Sequence, residues 1–202
     1  MAIKINLSRT DGNLFAASKW WGDPDMPAEM QYPMLTLKEE DGEEYEYPMT
    51  FVCQLNCEEL ARFDAEHLLP REGMLYFFAA IDEYTGYDAP YHNGVGEWPR
   101  KSVVVKYARQ INMETFESYV MTDEDDEPLT APALKISLEE CADDDPGIRI
   151  LGNTAEGCVN MLQLVGSEIA GLDLEGRTIQ VMADRTDLEK AVYKRVKTVM
   201  SE

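Results

Sequence analysis

The sequence has few cysteines, few histidines and few positive charges. Among 202 residues there are 4 Cys and 2 His, and 18 Lys and Arg stand against 39 Asp and Glu. So few cysteines exclude a disulfide framework and predict a reducing compartment, with thiols as small core residues. No apolar run approaches the roughly 20 residues of a membrane span. The start, MAIKINLSRT, lacks the apolar run of a secretory signal, so we expect a cytoplasmic protein.

The shortage of positive charge leaves a formal net charge of −21. Such a surface repels nucleic-acid phosphates and anionic lipid, so we expect neither nucleic acid nor membrane as a partner. A large net charge also keeps a protein soluble without any partner. The charge therefore has two interpretations, a solvated surface or a surface that attracts a basic protein.

Sequence signals of catalysis and metal binding are also missing. There is no G-x-S-x-G, P-loop or G-x-G-x-x-G pattern. Neither His67 nor His92 lies in a recognisable nucleophile setting. Cys53 and Cys57 could be combined with them as a zinc set, but strong zinc sites use close pairs at both ends, and no second pair is present. We therefore predict no catalytic residues, no metal and no cofactor.

The 45% of hydrophobic residues is enough for a real core. Alternation predicts a strand at 2–7, and Pro24 and Pro27 predict an extended loop over 18–27. Asp41-Gly42 is a strong two-residue turn signal and predicts a hairpin over 34–49. The strand 51–55 is expected to place Phe51 on the same face as Cys53 and Leu55, opposite Val52 and Gln54.

Further strands and helices follow from caps and apolar runs. Asn56 predicts the cap of a short helix. The runs at 73–81 and 101–107 predict central, covered strands, and 133–138 predicts a strand within an otherwise acidic segment. At the C-terminal end, RTDLEKAVYKRVKTVM (185–200) predicts a helix. Thr186 would cap it, Glu189 would complete a capping box, and its apolar stripe would comprise Leu188, Val192, Val196 and Val199.

Two stretches of the chain repeat one pattern. Gln54, Leu55 and Glu59 in FVCQLNCEEL match Gln163, Leu164 and Glu168 in NMLQLVGSEI, and a Glu-Gly pair follows each, at 72–73 and at 175–176. The repeat predicts an α+β fold, predominantly β, in which duplicated strand–helix–strand units pack about a pseudo-two-fold axis, with a C-terminal helix. The single domain, 1–202, would comprise an N-terminal half (1–107), an acidic connecting segment (108–150) and a C-terminal half (151–202).

Four motifs carry a resemblance to a known family. They are SKWWGDPDMP (18–27), PMTFVCQLNCEEL (48–60), EGMLYFF (72–78) and LGNTAEG (151–157) with the later LQLVGSE. Together they resemble the YwqG-like family of bacterial proteins of unknown function. The resemblance implies a duplicated, mostly β fold and no catalytic residues. Trp21 stands where that family more often has Gly, which implies strain if the position requires a positive φ.

The repeated glutamines are the first candidate site. In strand alternation Gln54 and Gln163 face a second layer, where a buried amide must satisfy about four hydrogen-bonding sites. Each amide could hold the backbone of a neighbouring loop, 18–27 for one and 151–157 for the other. Alternatively, the two amides could grip a ligand at the junction of the halves. Buried polar groups most often satisfy backbone, which favours the first interpretation.

Aromatic residues in loops are the second candidate site. Recognition surfaces often combine aromatic rings with Gly and Asp in this way. Trp20 or Trp21 could instead close an end of the core. The candidates are Trp20, Trp21, Tyr84, Tyr87, Tyr91 and Trp98, with His92 beside them.

These features favour a cytoplasmic, non-catalytic, protein-binding domain, with an immunity-like protein that neutralises a basic toxin as the sharper form. The alternative is a small-ligand sensor or enzyme with its site at the junction of the halves, where Gln54, Gln163 and His92 would be candidates. A cavity at that junction would favour the alternative.

Overall fold

The computed structural model describes residues 1–38, 42–81, 94–123, 125–154, 157–166 and 176–202. In these ranges the chain forms fifteen strands and two single-turn helices, α1 (Cys57–Leu60) and α2 (Arg185–Leu188). The strands are β1 (Ala2–Ser8), β2 (Lys19–Trp20), β3 (Asp25–Pro27), β4 (Met34–Lys38), β5 (Glu44–Pro48), β6 (Thr50–Asn56), β7 (Met74–Ala79), β8 (Gly96–Glu97), β9 (Val103–Ala108), β10 (Phe116–Ser118), β11 (Leu134–Cys141), β12 (Arg149–Leu151), β13 (Val159–Val165), β14 (Thr178–Ala183) and β15 (Lys197–Ser201).

Eleven of these strands form one curled antiparallel sheet in the order β8-β15-β14-β13-β12-β1-β11-β2-β6-β7-β9. At its centre β1 pairs with β11 over seven residues, from Ala2 opposite Cys141 to Ser8 opposite Lys135. The short strands β12 and β2 flank this pair. Two small sheets, β3-β10 and β4-β5, are not paired with any strand of the large sheet.

The curled sheet encloses the main hydrophobic core, and a smaller core lies on its outer side. Strand β7 contributes to both, because successive side chains point to opposite faces. Leu75 and Phe77 pack in the main core, whereas Tyr76 and Phe78 pack in the second, together with Phe116 of β10. All six residues of β7 are buried, which confirms the prediction of a covered strand. Strand β9, predicted to be covered as well, ends the sheet and is only partly buried.

The predicted fold of duplicated strand–helix–strand units is wrong. One large antiparallel sheet dominates the structure, and only two helices, each of four residues, occur in the described ranges. Helix α1 does follow β6, but after β13 the described chain continues only to Gly166. A short sequence echo specifies similar strands without requiring that the units pack as separate copies.

The predicted C-terminal helix over 185–200 is also wrong. Helix α2 ends at Leu188, and Ala191 has φ 51°, outside the right-handed helical region. Residues 197–201 instead form β15, which pairs with β14 over five residues. The valines of the apparent helical stripe are β-branched, and β-branched residues also suit a strand. The edge of β14 therefore decides the structure of this segment, against its helical spacing.

Several local predictions are confirmed. The hairpin over 34–49 forms as β4 and β5, paired from Met34 opposite Pro48 to Lys38 opposite Glu44, although most of its tip, 39–41, lies outside the described residues. Asn56 caps α1, since its side chain accepts a hydrogen bond of 2.9 Å from the Glu58 N–H. The predicted strands at 2–7 and 133–138 correspond to β1 and β11.

The predicted faces of β6 are partly wrong. Cys53 and Leu55 pack together in the main core, but Phe51 packs in the second core with Phe78. The register against β7 shifts between Phe51 and Cys53. A bulge of this kind inserts one extra residue and so reverses the alternation on one side of it.

A short connection links the two ends of the curled sheet. β8 pairs with β15 at one end, and after Trp98 the chain crosses to β9 at the other. Trp98 is 3% exposed, and its backbone N–H donates to the Thr198 carbonyl over 2.8 Å. The rings of Tyr107 and Tyr193 meet edge to face with centroids 6.0 Å apart. The sheet therefore curls until residues near its two ends touch.

Replacing Tyr193 by phenylalanine is expected to stabilise the fold, and more so in alkali. The buried Tyr193 hydroxyl has no hydrogen-bond partner in the described part of the chain, so removing it recovers about 1 kcal/mol of desolvation cost. Burial also raises the pKa of this hydroxyl. In alkali the unfolded chain therefore loses a proton that the folded protein keeps, and wild-type stability falls as pH rises above about 10.

Urea unfolding at pH 7, 9, 10.5 and 11.5 measures this effect. The Tyr193→Phe advantage should widen above pH 10. Tyr107→Phe is the control at pH 7, because that hydroxyl donates to the Glu72 carbonyl over 3.0 Å and its loss should not stabilise. Equal or lower stability of Tyr193→Phe at pH 7 would contradict the prediction.

Candidate functional site

The loop that joins β2 to β3 has an unusual backbone conformation. Trp21 has φ 57° and Gly22 has φ 71°, and just before β2 Ala16 also has φ 57°. Residues other than glycine rarely adopt this left-handed backbone region, and each one that does costs of order 1–3 kcal/mol. The sequence expectation of strain at Trp21 therefore agrees with its φ. Hydrogen bonds from Trp21 N to the Val52 carbonyl (3.0 Å) and from Gly22 N to the Ala131 carbonyl (2.9 Å) hold the turn.

This loop places the Asp25 carboxylate, which is 0% exposed, within a dense set of donors. Oδ2 accepts hydrogen bonds from the Ala16 N–H (2.9 Å) and from Gln54 Nε2 (2.8 Å), and it pairs with Lys19 Nζ at 2.8 Å. Oδ1 accepts from the Ser118 hydroxyl at 2.7 Å. Four donors match the approximate capacity of a carboxylate, and the carboxylate is fully buried, so Asp25 is a fixed anchor of this loop.

Gln54 holds Asp25 and its loop in place from the neighbouring strand. Its Oε1 accepts from the Asp25 N–H over 2.8 Å, and its Nε2 donates to the Ala17 carbonyl over 2.9 Å. Tyr76 adds a third contact, because its hydroxyl donates to the Asp25 carbonyl over 2.7 Å. Burial raises the pKa of Tyr76, which keeps this hydroxyl protonated as a donor. Together these contacts join the loop rigidly to β6 and β7.

Lys19 has unused donor capacity in this network. Its side chain is 7% exposed, and Asp25 is its only partner in the described ranges. A lysine ammonium has three donors. Two N–H groups therefore remain, on a side chain that lines an open cleft.

The cleft beside Lys19 has a volume of about 760 Å³. Its lining comes from the loop after β1, from the turn between β2 and β3, and from residues 128–133 before β11: Thr10, Gly12, Asn13, Leu14, Phe15, Lys19, Gly22, Asp23, Asp25, Ser118, Pro128, Thr130, Ala131, Pro132 and Ala133. Small-molecule sites are typically clefts of roughly 300–1,000 Å³ with a few convergent polar groups in an apolar lining. This cleft has that size and composition.

A second carboxylate, Asp23, also lines the cleft. Its Oδ1 accepts a hydrogen bond of 3.1 Å from the Thr130 hydroxyl, and Oδ2 has no partner among the described residues. Lys19 and Asp25 form a neutral pair, so Asp23 gives the cleft a net charge of about −1. The cleft therefore offers a donor at Lys19 and an anionic acceptor at Asp23.

The three tryptophans predicted as part of a recognition surface are buried. Trp20, Trp21 and Trp98 are 0%, 3% and 3% exposed and pack in the main core. The Trp20 and Trp21 rings meet edge to face at 5.9 Å. Four other candidates, Tyr84, Tyr87, Tyr91 and His92, lie outside the described residues. The cleft contains none of the three tryptophans in its lining.

The structure does not bring the two predicted glutamines together. Gln163 is 4% exposed, and its Nε2 donates to the Gly147 carbonyl over 2.8 Å. Its Oε1 accepts from Gln180 Nε2 over 2.9 Å. Gln54 holds the backbone of the 18–27 loop, as predicted. Gln163 also holds backbone, but that of residues 145–147 and not of the predicted 151–157. A cavity of about 30 Å³ lies between residues 63–68 and 151–153, and neither glutamine lines it.

The cysteines do not form a metal site in the described ranges. None of the four cysteines forms a disulfide; Cys53, Cys57 and Cys158 are buried, and Cys141 is partly exposed. Burial raises the pKa of Cys57 to about 12, so it remains a neutral thiol at physiological pH. Over the residues with a described structure, no group of three His, Cys, Asp or Glu side chains is arranged to hold a metal ion.

Comparison with known proteins gives the family. A model described as a domain of unknown function, DUF1963, matches residues 18–167, about three quarters of the chain. The chain belongs to the DUF1963 family. The matched range of the DUF1963 domain contains Lys19, Asp23, Asp25 and Gln54. A search of curated proteins gave no match. No helix among the described residues of this DUF1963 protein is long and apolar enough to cross a membrane.

Sequence reasoning identified Gln54 but missed Lys19, Asp23 and Asp25 of this DUF1963 protein. A signal was present, because all three charged side chains lie in the motif SKWWGDPDMP beside its tryptophans and prolines. A lysine in a run with two aspartates reads as solvated surface. The sequence does not show that the loop packs against β6 and β7, where Lys19 and Asp25 are buried.

Proposed function

We propose that this DUF1963 protein is a binding domain whose ligand occupies the cleft beside Lys19. The observation that supports it is a buried ammonium with two unused donors, held at the wall of a cleft of about 760 Å³. A hydrogen bond from an ammonium is stronger than one between neutral groups. A ligand acceptor that faces the cleft could therefore bind to the remaining N–H groups of Lys19.

The rigidity of the surroundings also supports binding. Asp25 and Gln54 have nearly all their hydrogen bonds within the protein, so Lys19 is oriented before a ligand arrives. Such preorganisation raises affinity because less ordering remains to be done on binding. The left-handed Trp21 adds to this argument, since residues in sparsely populated backbone regions cluster at ligand clamps. Asp25 is fully buried and its carboxylate already accepts from four donors, so its proposed role is to position Lys19.

A fragment screen tests the proposal without knowledge of the ligand. Two-dimensional ¹H–¹⁵N NMR with a library of small polar fragments should give hits that shift the amide signals of Gly12, Gly22 and Ala131. Pro132→Trp, at an exposed position of the lining, should abolish these shifts. Val95→Trp, at a 53% exposed position outside the lining, should retain them. Absence of any hit at these amides, or hits that persist in Pro132→Trp, would contradict the proposal.

The net charge favours a second candidate function, which is the binding of a basic protein, with immunity to a basic toxin as its sharper form. The hairpin β4-β5 forms a two-stranded sheet of its own, and Glu44 and Glu46 on it are exposed. Charge complementarity of this kind speeds association in a salt-dependent way. We also propose that the protein is cytoplasmic and that it belongs to the YwqG-like family in particular.

Affinity capture at 50 and 500 mM salt tests the second candidate. A genuine partner should be an identified basic protein that is released at high salt and lost from a Glu44→Lys, Glu46→Lys variant. Glu139→Lys, Glu140→Lys, at two exposed positions of β11, is a control of equal charge. Capture that is the same in both variants would show general attraction to acidic surface and would count against a specific partner.

A further inference from the structure

The chemistry of the cleft defines a ligand class, an inference that rests on the proposed binding function. We propose that the cleft recognises an aminoacyl group, meaning a protonated amine one carbon away from a carbonyl. This group occurs in amino-acid amides and at the amino terminus of peptides. The Lys19 ammonium binds the carbonyl oxygen, and the Asp23 carboxylate binds the amine.

The acceptor half of the ligand follows from Lys19. Its ammonium can only donate, and one donor is taken by Asp25 at 2.8 Å. The group that meets the remaining N–H bonds is therefore an oxygen or nitrogen acceptor. A phosphate or isolated carboxylate is disfavoured, because Asp25 already neutralises Lys19 and Asp23 adds a negative charge to the same cleft. A neutral carbonyl avoids that repulsion.

The donor half of the ligand follows from Asp23. Thr130 occupies Oδ1 at 3.1 Å, whereas Oδ2 has no partner in the described part of the chain. A carboxylate with an open oxygen accepts hydrogen bonds, and those from a cation are the strongest. The net charge of the cleft also favours a cationic group. An amine beside a carbonyl supplies a cation and a neutral acceptor in one small ligand.

The rest of the lining suits an apolar side chain. Leu14 and Phe15 are half-buried, and Pro128 and Pro132 are exposed, and all four line the cleft. A cleft of about 760 Å³ exceeds the size of a single aminoacyl group and leaves room for a side chain and a following residue. The proposed ligand therefore carries an apolar residue at its amino end.

Four probes separate the parts of this proposal. Isothermal titration would compare phenylalaninamide, phenylalanine, N-acetylphenylalaninamide and the dipeptide amide Phe-Gly-NH₂. Phenylalaninamide should bind, and the acetylated probe should bind about tenfold more weakly or worse, because it lacks the cation that pairs with Asp23. Phenylalanine should also bind more weakly, through repulsion of its carboxylate. Tighter binding of Phe-Gly-NH₂ than of phenylalaninamide would assign the ligand to peptide amino termini, and the reverse to free amino-acid amides.

Two variants locate the contacts. Asp23→Asn keeps an oxygen for Thr130 but loses the charge, so it should weaken phenylalaninamide about tenfold and leave the acetylated probe unchanged. Asp144→Asn, at an exposed aspartate outside the lining, is the control of equal charge change and should leave both affinities unchanged. The double variant Lys19→Met, Asp25→Asn should weaken the binding of all four probes, because it removes the donor to the carbonyl oxygen.

The outcomes distinguish this inference from the proposed function. Equal or tighter binding of the acetylated probe overturns the inference, and so does failure of both amine-bearing amides to bind. In either case, fragment hits in the cleft would leave the proposed function standing. If the fragment screen also finds nothing at Gly12, Gly22 and Ala131, both proposals fail together.

Discussion

Replacing Lys19 by methionine is expected to destabilise the folded protein by about 3–5 kcal/mol, because it leaves the Asp25 carboxylate buried without its counter-charge. Asp25 is 0% exposed and the Lys19 side chain 7%, so water screens this pair much less than it screens a surface pair. Asp25→Asn should have a comparable cost for the opposite reason, since it leaves the ammonium buried beside a neutral amide. Equilibrium unfolding in urea measures both changes.

The double variant Lys19→Met, Asp25→Asn is expected to be more stable than either single variant. It removes both charges together, and replacement of a whole buried pair by neutral groups of similar size is often close to neutral. The asparagine can reproduce the geometry: its oxygen can accept from Ala16 and Gln54, and its amide can donate to the Ser118 oxygen. Additive losses would show that Lys19 and Asp25 do not act as a pair.

The exposed pair of Glu66 and Arg185 provides the matched control, since its side chains are 53% and 45% exposed. Solvent screens such a pair, so Arg185→Met should leave stability nearly unchanged. A loss as large as that of Lys19→Met would mean that burial does not distinguish the two ion pairs.

Replacing Gly73 by alanine is expected to cost about 4 kcal/mol or more, near the upper end for single substitutions. Gly73 has φ 89°, and a Cβ there would lie 2.1 Å from the Ala108 carbonyl oxygen and 2.8 Å from two backbone atoms of Arg109. These obstacles are backbone atoms at the end of β9 and cannot move aside as a flexible side chain could. The substitution therefore adds a steric clash to an unfavourable φ.

Gly176 is the matched control for Gly73, because it follows a glutamate in the same way and has φ 78°. A Cβ at Gly176 would have no neighbour within 4 Å among the described residues. Gly176→Ala should therefore cost only the conformational penalty, about 1–2 kcal/mol. Thermal unfolding of both variants measures the difference. Equal losses would show that positive φ alone, without the contact to β9, explains the requirement for glycine at 73.

The matching Glu-Gly pairs show what a short sequence repeat predicts and what it does not. Both glycines have a positive φ, as two similar turns before strands require. Only Gly73 is packed against a neighbouring strand, because β9 lies beside β7 at that point. The echo therefore predicted similar local geometry at Gly73 and Gly176, and it could not predict their different surroundings.

The candidate site was partly predictable. Strand alternation placed Gln54 opposite a second layer, and the structure confirms that it holds the 18–27 loop. The buried Lys19–Asp25 pair could not be found in the same way. Their separation of six residues matches no short-range pattern, and the contact depends on a turn through left-handed Trp21 and Gly22. That turn is held by hydrogen bonds to Val52 and Ala131, which are distant in sequence.

The paired strands over 34–49, the cap at Asn56 and the buried strand at 74–79 were decided by the sequence itself, because alternation, capping and continuous apolar character act over a few neighbouring residues. Tertiary structure decided the rest. The segment 197–201 became a strand because β14 and β8 offered edges on both sides of it, and the open cleft exists because the loops after β1 and before β11 meet the 18–27 loop. Several of these contacts, such as the pairing of β8 with β15, join residues that are distant in the sequence, and no local pattern specifies them.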